Sequence, residues 1–515
     1  MNEQRSSGIR LSRRGFLAAT LVSGVAVAAC GRPNTTGVDS DSSHPIAAAE
    51  AARPHTGNTV SANLTAAPAD IDLGGPVART LAYNNQVPGP LIRAGVGDEL
   101  SVRFINRLDH ASSVHWHGIA LRNDMDGAAP ATPDISPGGG FTYRFISPYA
   151  GTYWAHPHTG LDADFGLYLP VIIDDPREPG RYDAEWIVVL DDWTAGVGSS
   201  PQQLFDGLRA MATPGQSSSM PGMPGMGTPG TGGIPAVPGV GGVGTSQLLE
   251  GDAGDVSYPC YLINGRIPAA PTTFSAKPGQ RIRIRIINAG SDTAFRVALA
   301  GHRMTVTHTD GFPVVPTEVD AVLLGMGERY DVVVTAGDGV FPLVASAEGK
   351  NAIARALLST GAGSAPDPAF RPPELQGRVG TVDMFTAAPQ VVLDSTRTDT
   401  ALTARLSGTM MQYDWMINGR PYSDATPLTI RQGQNATLTF ANNTMMWHPM
   451  HLHGHTFQVI KPDGTLGPRK DTVIVLPMKS VTVRLIADNP GIWMLHCHNT
   501  YHQDAGMMTS LNYVS

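Results

Sequence analysis

The chain has 515 residues, a net charge of −8, a pI near 6.0 and only 16% charged residues. That length predicts about three domains, and an acidic chain without a basic stripe excludes nucleic acid as a partner. The apolar run near the N-terminus is shorter than the roughly 20 residues a membrane-spanning helix needs, which leaves a lipid anchor as the expected membrane attachment.

In chain order, Ser12-Arg13-Arg14-Gly15-Phe16-Leu17 and the Ala/Val/Leu run behind it read as a twin-arginine export signal over 1–29. Val27-Ala28-Ala29-Cys30-Gly31 resembles a bacterial lipobox, which would make Cys30 the lipidated first residue of the exported protein. The alternative is a small-residue cleavage site beside an incidental cysteine. Lipidation is preferred because the chain has only three cysteines and places one here. Residues 30–66, dominated by Ser, Thr, Ala, Gly and Pro, read as a flexible tether. The expected location is the outer face of the cytoplasmic membrane, in the periplasm, as a monomer.

Next comes a threefold repeat. Gly97-Asp98-Glu99-Leu100-Ser101-Val102-Arg103-Phe104-Ile105-Asn106 is echoed by 279–288 and by 433–442. Each copy is a turn glycine followed by near-strict apolar alternation, the pattern of a half-buried strand in an antiparallel sheet. Each also has an upstream partner: Asn84-Asn85-Gln86, Ile263-Asn264-Gly265-Arg266 and Ile417-Asn418-Gly419-Arg420. Both halves recurring in order imply three similar β-sandwiches, over 67–180, 181–375 and 376–515. The middle one carries an insert over 211–247 in which Met211 to Gly244 holds no charged residue and includes Met220, Met223 and Met226. Such a stretch cannot pack a core and is expected to be a mobile loop.

Four histidine clusters punctuate this frame: His115-Trp116-His117-Gly118, His156-Pro157-His158, His448-Pro449-Met450-His451-Leu452-His453, and His496-Cys497-His498 followed by His502 and Met507. Ten of the sixteen histidines fall here, more than chance concentrates in a thinly charged chain. On a strand, His-x-His shares one face, so in the last cluster both histidines face one way and Cys497 the other. A thiolate, an imidazole and a weak axial thioether describe a blue-copper site, with His502 and Met507 returning from the following loop. The outward histidines can then hold different metal ions, and the Cys497 backbone becomes a short bridge between two redox centres. His302 and His308 read as ordinary strand histidines, and Cys260, without a partner, as a buried inert thiol.

Together the four segments resemble the copper motifs of the multicopper oxidases, the family of laccases, ferroxidases and bacterial cuprous oxidases, from about Asn63 to the C-terminus. The resemblance implies an all-β chain of three consecutive cupredoxin-like Greek-key sandwiches holding four copper ions. It implies His448, Cys497 and His502 as type 1 ligands with Met507 axial, and His115 and His451 as type 2 ligands. The type 3 pair would be held by His117, His156, His158, His453, His496 and His498. His455 has no counterpart among the ligands. Ligands from the first and third domains would place the cluster between them. The implied activity is oxidation of a reductant, with electrons taken up at an exposed edge of His502, coupled to reduction of dioxygen to water. Asp126 matches one of two carboxylates that serve the cluster with protons in bacterial members. At the other, Gln503 stands where Glu is common, leaving Asp504 as its substitute. Met thioethers select Cu(I), and cuprous oxidases carry a similar insert. Met220, Met223, Met226 and Met446, with Met445 beside it, are therefore candidate contacts for Cu(I) as substrate. The alternatives are a laccase-type oxidase of phenols or aromatic amines, a ferroxidase and, in a different class, a non-catalytic copper-binding envelope protein.

Overall fold

The computed structural model describes residues 40–178, 180–211, 237–393 and 397–515. The export signal, Cys30, Met220, Met223 and Met226 lie outside the described residues.

The repeat folds as one strand in each of three sandwiches: Glu99–Asn106, Arg281–Asn288 and Asn435–Asn442. Each starts two residues after a left-handed glycine, Gly97 at φ +84°, Gly279 at +80° and Gly433 at +82°, a conformation that favours glycine. The upstream partners also share one job. Asn84, Asn264 and Asn418 sit at φ 51–55°, and their side-chain oxygens accept the backbone N–H of Thr65, Val189 and Arg405. This pins a hairpin to the first strand of its own domain.

The repeat strand lies in a mixed sheet rather than the expected antiparallel one. One neighbour, Thr59–Asp72, Ala184–Trp193 or Thr400–Ser407, runs parallel to it; the other, Gly140–Ile146, Arg329–Thr335 or Ser480–Ile486, runs antiparallel. The two main sheets have four and four strands in the first domain, six and six in the second, six and five in the third. The apolar faces of each pair close on one another, as sandwiches require. The middle copy alternates in sequence but is buried on both faces: Arg283 and Arg285 point into the contact with the first domain, where Asp331 and Thr152 receive them.

The described parts of two segments expected to be flexible are folded. Within 30–66 a helix covers Ser40–Ala51 and a strand begins at Thr59. Buried Ile46 and Glu50 dock the helix, Glu50 accepting the Ile146 N–H at 2.9 Å. The small apolar residues of the strand, Ala62, Leu64 and Ala66, are diluted by Ser, Thr and Asn, which hid its period of two. Within 211–247, residues 237–247 pack back onto the middle domain: Val240 bridges to Val256, and Val237 lies against Gly207 of the helix Pro201–Met211. The two valines, with the strand Thr245–Ser246 paired to Gly251–Asp252 and Ser246 Oγ donating to Glu348, anchor this stretch. Cys260 is half-buried rather than buried, and burial pushes its thiol up.

Candidate copper centre

Two antiparallel strand pairs carry the histidines. In the first domain His115–His117 pairs with Gly151–His156, with His115 opposite His156. In the third, His448–Leu452 pairs with Ile492–Cys497, with His451 opposite His496 and Met450 opposite Cys497. Strand alternation then puts His448 and Cys497 on one face and His451 and His496 on the other.

The two domains meet ring on ring. His115 stacks on His453 with centroids 3.6 Å apart, and His117 on His451 at 3.8 Å. His498 Nε2 lies 3.2 Å from His117 Nδ1, and His496 Nε2 lies 3.3 Å from His158 Nε2 and 3.0 Å from His453 Nε2. The eight histidines form one continuous cluster. Ligand-type atoms fall within 4.8 Å of one another in the sets His115/His117/His156, His115/His451/His453 and His158/His453/His496.

Outer partners decide which nitrogen faces inward. Nδ1 of His115, His156, His451 and His496 donates to the carbonyls of Asp126, Pro157, Asp471 and Cys497 at 2.8–2.9 Å, and His453 Nδ1 pairs with Asp126 Oδ2 at 2.8 Å. A carbonyl can only accept, so the Nε2 of those four rings is bare. Nε2 of His115, His156 and His451 is buried with no hydrogen-bond partner among the described residues. His117 is reversed: Nε2 meets Asp471 Oδ1 at 3.2 Å and Thr472 Oγ1 at 3.1 Å, and Nδ1 faces in. Buried, bare imidazole nitrogens turned toward one another repel unless a cation fills the space. Burial and then mutual repulsion hold His156, His453, His496 and His498 well below the usual histidine range, and push His158 down to about 3. Neutral, inward, partnerless nitrogens are what metal ligation requires.

On the other face, Cys497 Sγ lies 3.6 Å from His448 Nδ1 and 3.7 Å from His502 Nδ1, and the two nitrogens are 3.1 Å apart. Met507 is buried in the same core, its carbonyl accepting from Cys497 N. This triangle of thiolate and two imidazoles fits a copper ion.

Several expected features are placed differently. His502 has no exposed edge: it is wholly buried, its Nε2 is 2.9 Å from Asp255 Oδ2, and Trp415 lies tilted beside it with ring centroids 4.2 Å apart. Burial opposes its charge, but the Asp255 carboxylate and Cys497 outweigh this and raise it to about 10. Met446 is buried in the core, 4% exposed, and offers no surface to an incoming ion, whereas Met445 is 75% exposed. Both lie in the bend between the strands Asn435–Asn442 and His448–Leu452, where Met446 turns into the core and Met445 to solvent. Asp504 is exposed on the short helix Thr500–Asp504, in the field of Arg209, rather than set among the cluster histidines. His455 is buried and bonded to Tyr513. His302 and His308 join no metal-ligating set among the described residues.

Sequence reasoning missed Asp471 and Asp255, the carboxylates beside the cluster and beside His502. The available sign for Asp471 was a charged run, Arg469-Lys470-Asp471, inside an otherwise apolar strand region; for Asp255 there was none.

Family models described as multicopper oxidase match residues 66–178, 184–363 and 395–514. The chain is 63% identical over 507 residues to multicopper oxidase MmcO of Mycobacterium tuberculosis, covering 98% of this chain and 97% of that one. It is 27% identical to copper resistance protein A of Escherichia coli, over 97% and 98% of the two chains. Among solved structures, the multi-copper oxidase of Pseudomonas thermotolerans aligns with a TM-score of 0.64 and 26% identity, covering 88% of this chain and 99% of its own. With three sandwiches, a histidine cluster between the first and last, and matches along nearly its whole length, the chain belongs to the multicopper oxidases, copper-dependent enzymes with dioxygen as acceptor.

Proposed function

We propose that the reductant is Cu(I), in copper detoxification, with four one-electron oxidations coupled to four-electron reduction of dioxygen to water. The observation that carries this reading is where the methionine-rich insert leaves and rejoins the fold. The helix Pro201–Met211 lays Phe205 against Tyr501 and Tyr413, with ring centroids 6.4 and 6.3 Å apart. Tyr413 Oη donates to Asp255, the carboxylate that holds His502. At the helix end Met211 is exposed, and its Cε lies 3.6 Å from where a Cβ on Gly241 would be. The described ends of the insert, Met211 and the residues from 237 on, therefore lie on the Cys497 side, and the thioethers in the insert's sequence are soft ligands suited to Cu(I). The resemblance to proteins named for copper resistance supports the same reading.

In this proposal four copper ions are held as the resemblance implies: one by His448, Cys497, His502 and Met507, one by His115 and His451, and a pair by His117, His156, His158, His453, His496 and His498. Copper would supply one-electron redox chemistry and the affinity for dioxygen. The chain fixes the ligand rings through Asp126, Asp471 and backbone carbonyls, joins the two centres through the Cys497 backbone, and limits water by burying every ring except the half-buried His158. Asp126, 3.3 Å from His115 Nδ1 and 2.8 Å from His453 Nδ1, is the carboxylate placed to hold protons at the cluster. We further propose export by the twin-arginine route and anchoring through Cys30, so that Cys30→Ser moves the protein from the membrane to the soluble fraction.

The test is oxygen consumption by the copper-loaded protein, comparing wild type with a Met220/Met223/Met226→Ser variant on Cu(I) and on a phenol. A selective fall with Cu(I) is expected. Equal rates on Cu(I) would refute the role of the insert and leave a broad laccase-type activity as the better reading.

A further inference from the structure

The middle domain supplies no histidine to the cluster, yet one of its turns reaches it. Arg329, at the start of the strand Arg329–Thr335, is wholly buried. Its Nη1 and Nη2 donate to the two oxygens of Asp471 in the third domain at 2.7 and 2.6 Å. Its Nε donates at 3.0 Å to the Thr152 carbonyl in the first domain, on the strand that ends at His156. One guanidinium thus joins all three domains.

Asp471 in turn touches two histidines of the cluster. Its Oδ1 is 3.2 Å from His117 Nε2, and its carbonyl accepts from His451 Nδ1 at 2.9 Å. The same turn makes direct contact two residues earlier. A Cβ on Gly327 (φ +83°) would fall 2.9 Å from His117 Cε1 and 2.9 Å from His498 Cδ2. Gly118, directly after His117, is shaped to let the pair pass: a Cβ there would lie 2.4 Å from Arg329 Nη2 and 2.6 Å from Asp471 Oδ2.

We infer that the turn Gly325–Arg329 of the middle domain is a positioning element for the histidine cluster: Arg329 orients Asp471, Asp471 orients His117 and His451, and Gly327 walls the His117 and His498 rings. The inference rests on the proposed copper ligands, and it concerns the type 2 and type 3 side alone. A bidentate Arg–carboxylate pair fixes the plane of the carboxylate, which a lysine ammonium does not. Loss of such an outer partner lowers metal affinity by about 10- to 100-fold.

Arg329→Lys and, independently, Gly327→Ala would be loaded with copper and read three ways: copper per chain by metal analysis, the type 2 electron paramagnetic resonance signal, and the blue absorption of the Cys497 centre. The expected result is an intact blue band with type 2 copper lost at chelator concentrations about 10- to 100-fold below those the wild type withstands. A type 2 signal and copper content unchanged in both variants would overturn the inference, as would loss of the blue band in step with type 2 copper in both, which marks general unfolding. Failure of the ligand assignment itself is distinguishable: the wild type would then show no type 2 signal to lose.

Discussion

Asp255→Asn removes one negative charge from beside His502 while keeping the side-chain shape. Asp255 Oδ2 lies 2.9 Å from His502 Nε2. Adding a ring width of about 2.2 Å and a metal–nitrogen bond of about 2.0 Å puts the carboxylate about 7 Å from a copper ion on Nδ1. Both side chains are fully buried, so exposure to solvent does not discount the interaction. At an effective dielectric of about 20, a unit charge at that distance is worth about 2.4 kcal/mol. This corresponds to about 100 mV for one electron. The carboxylate favours the oxidised ion, so the variant should show a type 1 potential raised by about 100 mV. The measurement is a redox titration of the blue band in wild type and variant. A potential unchanged within about 20 mV would refute the assignment of Asp255 as the charge that tunes this centre.

Copper-free protein should lose stability steeply as pH falls below about 6.5, the unfolded histidine value. His156, His453, His496 and His498 are held well below that value by burial and then by one another. Their stabilisation is present above about pH 6.5 and falls by about 1.4 kcal/mol per pH unit for each ring that protonates only on unfolding. Denaturant midpoints of copper-free and copper-loaded protein at about pH 7.5 and 5.5 check this; equal midpoints for the copper-free form would contradict it. Gly454→Ala should cost more than about 3 kcal/mol, from overpacking and a strained left-handed residue. Its φ is +62° and a Cβ would fall 2.2 Å from Trp493 Cζ3. Equilibrium unfolding reads the change, and a loss under about 1 kcal/mol would show that Trp493 can move aside.

The sequence by itself determined the three-sandwich frame and singled out the clustered histidines and Cys497 that the fold brings together. Both are local: a strand's period of two shows which residues share a face, so His451 and His453 separate from His448, and His496 from Cys497, before any fold is known. The left-handed Asn84, Asn264 and Asn418 recur because the same hairpin recurs. The small-residue strand at Thr59 and the helix at Ser40–Ala51 escaped notice because their apolar residues are few and their partners far along the chain. Only the tertiary structure decided what surrounds the ligands. Asp255, Asp471 and Arg329 come from segments with no motif of their own: Asp255 meets His502 across 247 positions of chain, Asp471 meets His117 across 354, and Arg329 meets Asp471 across 142. Burial of His502 and Met446 was likewise undecidable from spacing, because exposure depends on which other domain covers a face, and packing between distant segments leaves no period in the sequence.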